Sequence, residues 1–88
     1  MVHVLIEGNV QGIGFRQFVK SHANKLDIKG WVKNLPDRRV EAMFVGDRSN
    51  IEKMVELCRH GPFLAEVKDV KVSEEKDSVR FDSFEIVK

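Results

Sequence analysis

The chain has 88 residues, 42% of them hydrophobic and 33% charged, which fits one folded domain spanning residues 1–88 and excludes a disordered chain. Fifteen Lys and Arg against fourteen Asp and Glu leave a formal net charge of +1, without the basic excess of a nucleic-acid binder. No apolar run approaches the roughly 20 residues that cross a bilayer, and no basic-then-apolar leader precedes the strand-like residues that begin at Val2, so export is not expected.

Residues 2–7 (VHVLIE) are β-branched and aliphatic and read as a strand. Residues 8–14 hold three glycines and no acidic residue, as a loop does. Phe15, Phe18, Val19, His22, Ala23 and Leu26 then recur at helical spacing and mark one face of an amphipathic helix. A short strand over 30–34 leads into a turn at Leu35-Pro36-Asp37-Arg38. The strand over 40–45 has apolar residues on both faces, as a central strand has. Ser49 and Glu52 make a capping-box signature for a second helix through Ile51, Met54, Val55 and Cys58, which Gly61-Pro62 ends. Residues 67–72 alternate as a half-buried strand, 73–78 form a charged loop, and 81–87 form a last short strand.

This order is βαββαβ with one further strand. It predicts an α+β, ferredoxin-like sandwich: an antiparallel-rich mixed sheet with two helices on one face. A helical crossover makes the first two strands parallel, so their C-terminal ends share an edge. The glycine loop and Asn34 therefore meet on one rim although they lie far apart in sequence.

The first helix breaks local rules at its start. No Ser, Thr, Asp or Asn stands immediately before Phe15, and no acidic residue lies in the first turn, so its free N–H groups lack a cap. Arg16 stands in that turn, where a cation opposes the macrodipole by ~0.3–1 kcal/mol. Gly8, Gly12 and Gly14 permit positive φ and close backbone approach. A single glycine loop is most simply a solvated turn. The missing cap, the misplaced Arg and three glycines together point instead to an external anion, held by the helix end and clamped by Arg16.

The same residues carry a resemblance. Gly8-Asn9-Val10-Gln11-Gly12-Ile13-Gly14-Phe15-Arg16 resembles the signature loop of the acylphosphatase family, V-Q-G-[VI]-x-F-R after the first strand. Gly30-Trp31-Val32-Lys33-Asn34 resembles its second motif, G-W-V-[RK]-N. Val40-Glu41 with Gly46, Gly61-Pro62, Ala65-Glu66-Val67 and Phe84-Glu85-Ile86 extend the likeness over nearly the whole chain. The resemblance implies hydrolysis of carboxyl–phosphate anhydrides without metal or other cofactor. It implies phosphate binding by the loop residues Val10, Gln11, Gly12, Ile13, Gly14 and Phe15 together with Arg16, and water positioning by Asn34. The implied partners are a small acyl phosphate as substrate and inorganic phosphate as product, with neither nucleic acid nor membrane, in a cytoplasmic monomer. One departure stands out: the family carries Asp-Gly in the turn after the second motif, and here Asp37 is followed by Arg38, so a tight turn of another type is expected.

The chemistry agrees with the residue types. An acyl phosphate has a good carboxylate leaving group, so phosphoryl transfer depends mainly on positioning and charge stabilisation. A planar guanidinium suits two phosphate oxygens, and a carboxamide can accept from water while donating to phosphate. Two other readings compete. Residues 11–18 superficially resemble an RNA-binding RNP1 motif, but that motif belongs on a third strand, and the strand over 40–45 offers only Phe44 for stacking. A binding-only version of the same fold would sense an anion without turnover; retention of both Arg16 and Asn34 argues for catalysis.

The remaining chemical side chains read as structure. Cys58 and His22 lie on apolar helix faces and Trp31 packs on the sheet. Lys25, Lys29 and Lys33 form a solvated face, and His60 suits a helix C-terminus. The lone cysteine and three scattered histidines offer neither disulfide nor metal knuckle.

Overall fold

Side-chain alternation gives the sheet one covered face. The computed structural model describes residues 1–76 and 79–88 and runs β1 (Val2–Asn9), α1 (Phe15–Lys25), β2 (Lys29–Asn34), β3 (Val40–Val45), α2 (Arg48–His60), β4 (Glu66–Glu74) and β5 (Phe84–Val87). Val2, Val4 and Ile6 of β1, Gly30 and Val32 of β2, and Val40, Ala42 and Phe44 of β3 are buried, while their chain neighbours on these strands are not. That period of two sets every second side chain toward the helices. α1 returns Phe15, Val19 and Ala23 to the same core, and α2 returns Ile51, Met54 and Cys58.

The strand order is β4-β1-β3-β2-β5. Every neighbouring pair is antiparallel except β2 and β5. β3 opposes both β1 and β2, so those two point the same way and end on one edge, as the crossover predicts. This is the ferredoxin-like βαββαβ fold with an added C-terminal strand. Phe84 anchors that strand by stacking on Phe44 at 5.9 Å between ring centroids. No helix among the described residues is long and apolar enough to cross a membrane.

Several local expectations are corrected. β1 continues through Gly8 and Asn9, because β4 pairs with both across a register shift at Glu7/Gly8. A Cβ at Gly8 would drive into the carbonyl oxygen of Glu66, so glycine serves strand pairing there and not the loop. β4 likewise absorbs Ser73 and Glu74 of the expected charged loop, while residues 77 and 78 of that loop lie outside the described residues. β5 begins at Phe84 and not at 81.

The Ser49–Glu52 capping box does not form. The extended residue ahead of α2 is Asp47, whose carbonyl accepts the first helical bond from Ile51 N at 2.9 Å. Ser49 already lies inside the helix, and its hydroxyl donates to Asp47 Oδ2 at 3.3 Å. At the other end of α1, Asp27 takes φ 55°, with Ile28 N bonded to Ala23 O and Asp27 N to Asn24 O. That pair of bonds is a Schellman closure built on Asp where glycine is usual.

The turn after β2 also departs from expectation. Arg38 has φ 77°, the left-handed geometry that a glycine would supply. Leu35 N donates to Arg39 O at 2.8 Å and Arg38 N to Leu35 O at 3.1 Å. The Asp37 carboxylate pins the loop by accepting from Arg39 N at 3.1 Å, Nε at 2.8 Å and Nη2 at 2.8 Å. Arg39 holds the Asp37 carboxyl below the ordinary carboxylate range. The glycine-type turn therefore survives without its glycine, because neighbouring bonds over-determine it.

Candidate active site

β1 stops where the backbone turns sharply into α1. Gly14, the residue ahead of the helix, has φ 79° and makes no side-chain cap bond. Gly12 has φ 77°, and around both glycines a Cβ would meet no protein atom within 4 Å. These glycines border open space. The first helical bond runs from Phe18 N to Gly14 O at 2.9 Å, so the N–H groups of Phe15, Arg16 and Gln17 have no intrahelical acceptor.

Neither helix is side-chain capped, so the contrast between them is not the one the sequence predicts. What separates them is charge. α2 opens behind the carboxylate of Asp47, and its Arg48 pairs with Glu74 at 2.8 Å. α1 opens behind two glycines, and among the described residues Arg16 has no carboxylate partner.

A cavity of about 350 Å³ lies over this helix end. Val10, Gly12 and Gly14 line it from the loop, and Phe15, Arg16 and Gln17 from the first turn of α1. Asn34 and Ile86 close the far side. Asn34 follows Gly30 and Val32 on the helix-facing side of β2, and Ile86 stands beside Val32 on β5. Oδ1 of Asn34 is buried without a hydrogen-bond partner among the described residues. A buried carbonyl left this way costs ~1–3 kcal/mol unless something reaches it.

The fold thus brings Val10, Gly12, Gly14, Phe15, Arg16 and Asn34 around one space. It does not bring the side chains of Ile13 and Gln11 there. Ile13 packs against the core. The Gln11 amide donates to Leu35 O and Arg39 O, both at 2.9 Å. Gln17 and Ile86 were not anticipated: Gln17 follows from counting free N–H groups one residue past Arg16, whereas Ile86 depends on the β2–β5 register.

The other chemical side chains stand elsewhere. Lys33 pairs with Glu41 at 3.5 Å and lies 5.3 Å from the Trp31 ring, and Glu41 also meets His3 at 2.6 Å. These residues alternate away from Val4, Val32 and Ala42, on the sheet face opposite the helices. His22 packs edge-on against Phe18 at 4.5 Å. Burial pushes the Cys58 thiol up to about 12, which leaves it protonated at neutral pH. Phe44, the aromatic an RNA-binding strand would have to expose, is fully buried. Among the described residues no three His, Cys, Asp or Glu side chains are grouped to hold a metal ion.

Comparison with known proteins agrees with this architecture. The acylphosphatase family model matches residues 2–86. An acylphosphatase from Syntrophobacter fumaroxidans is 48% identical over 84 residues, covering 96% of this chain and 87% of that one. The crystal structure of acylphosphatase from Bacillus subtilis superposes with a TM-score of 0.96 at 36% identity, covering 99% of this chain and 97% of that one. An acylphosphatase structure from Coxiella burnetii superposes with a TM-score of 0.92, also at 36% identity, covering 98% and 90%. The chain belongs to the acylphosphatase family and has its enzymatic activity, EC 3.6.1.7.

Proposed function

We propose that this chain hydrolyses the carboxyl–phosphate bond of small acyl phosphates, with the loop amides and Arg16 holding the phosphoryl group and Asn34 orienting the attacking water. The observation that carries the reading is an uncapped helix end and Arg16 facing the carboxamide of Asn34 across one cavity, with neither the guanidinium nor the buried Oδ1 partnered among the described residues. The free N–H groups, held in place by the helix, and the Arg16 guanidinium supply donors for the phosphate oxygens. Asn34 carries no charge, so it orients water without acting as a base. Its terminal torsion has a broad minimum, and a turn of the carboxamide brings Oδ1 toward the cavity to accept from water.

In the reaction, the water oxygen attacks phosphorus in line with the bond to the acyl oxygen. That bond breaks, and its electron pair leaves on the carboxylate. A phosphate oxygen takes the water proton, since among the described residues no His, Cys or carboxylate side chain lines the cavity. Preorganised charge and position then account for the rate.

Benzoyl phosphate assayed with a chelator, beside a phosphate monoester, tests the reading. Turnover of the anhydride alone, unchanged by the chelator, is expected. Activity only on added metal, or equal turnover of the monoester, would overturn it. A pH–rate profile with a titrating enzyme base would remove the substrate-assisted proton step.

A further inference from the structure

The Gln11 side chain is committed in a direction the anion cavity does not explain. It belongs to the loop, yet it leaves the cavity and bridges to the turn that follows Asn34. Its Nε2 donates to Leu35 O and to Arg39 O at 2.9 Å each, spending both amide protons. Leu35 is the next residue after Asn34, and Arg39 is its partner across the turn. The loop follows β1 and the turn follows β2, and β3 lies between those two strands in the sheet. Val40 of β3 ties the two strands through Ile6 and Asn34, but no ladder pairing of β1 or β2 with β3 reaches the loop beyond Asn9 or the turn beyond Asn34.

We infer that Gln11 is a positioning residue that locks the loop to the carboxamide of Asn34, setting the spacing between bound phosphoryl group and oriented water. This deepens the proposed function and rests on it. Gln11 touches neither reacting group through its side chain. It acts through the turn: holding two carbonyls on either side of that turn fixes where β2 ends, and with it where Asn34 stands. The strained Arg38 between those carbonyls shows that this turn is held in place and does not simply relax. Displacement of a reacting group by 1 Å can cost about a hundredfold in rate, so a small slackening at this bridge has kinetic weight.

The geometry also supplies a clean variant. Leu35 O keeps its bond from Arg38 N, and Arg39 O keeps its bond from Leu35 N. Gln11→Met therefore removes the bridge without leaving either carbonyl unpaired, and the chain still folds. The test is a double-mutant cycle with Asn34→Ala, with thermal midpoints measured for each variant. Gln11→Met alone is expected to lower kcat about tenfold, with the inhibition constant of inorganic phosphate changed by less than about threefold. In the Asn34→Ala background the same substitution should lower kcat by less than about twofold, because the spacing it protects no longer matters. Gln11→Asn, whose amide stops one methylene short of both carbonyls, should show the same split. Equal losses with and without Asn34, or weakened phosphate inhibition at unchanged kcat, would overturn the bridge and leave Gln11 a loop residue. If Asn34→Ala kept full rate, the water-positioning role itself would fall, and the bridge with it; that result is read from the single variant alone.

Discussion

Arg16 sits where a helix least tolerates a cation, in the first turn and against the positive end of the macrodipole. Asn34 shows the complementary misfit, a buried acceptor with no donor. An anion with an attacking water relieves both at once, which is why two residues with no visible structural reward face one cavity. Their losses should differ in kind. Arg16→Ala is expected to lower kcat/KM about 10²–10³-fold and to weaken inhibition by inorganic phosphate, as loss of a preorganised charge partner does. Asn34→Ala is expected to lower kcat about 10²-fold with KM little changed, since it orients water without holding substrate. Steady-state kinetics on benzoyl phosphate separates the two, and full activity in both variants would refute the assignment. These two residues were legible in the sequence because each violates a local rule or completes a motif. The direction of the Gln11 side chain was not: a glutamine in a glycine loop looks the same whether it faces an anion or a distant turn.

The elements were legible to the extent that their hydrophobic period was strong. α1 and β3 stand where the spacing places them, since burial repeats cleanly along both. Misreadings gather where tertiary pairing overrides composition. Gly8 looks like loop, yet β4 draws it into the sheet; Ser49 and Glu52 look like a cap, yet Asp47 has the extended backbone that a cap position needs. The turn after β2 shows the same override with an energetic consequence. Arg38 holds a left-handed conformation that costs a side-chain-bearing residue ~1–2 kcal/mol, and glycine loses part of that advantage through its freer unfolded chain. Arg38→Gly is therefore expected to stabilise the protein by about 0.5–1 kcal/mol, seen as a higher urea midpoint at unchanged slope. A lower midpoint would mean that the Arg38 side chain contributes more than its backbone loses.

At the scale of the molecule, a net charge of +1 conceals a local site: a guanidinium over a helix end, without a carboxylate partner among the described residues. The sheet is equally non-local. β1 sits between β3 and β4, so its pairing joins residue 9 to residue 66, and β5 adds itself beside β2 only at the end of the order. The cavity inherits that dependence, because Ile86 closes a side of it and Phe84 seats β5 on the Phe44 ring. Removing residues 83–88 should abolish turnover of benzoyl phosphate and lower the thermal midpoint. A truncated chain that kept both would show β5 to be an ornament of the fold. This has a consequence for how the enzyme is made. A ribosome adds Ile86 52 residues after Asn34, several seconds later at about 5–20 residues per second. The growing chain thus carries Arg16 and Asn34 before Ile86 can join them, and the cavity is complete only once β5 has paired with β2.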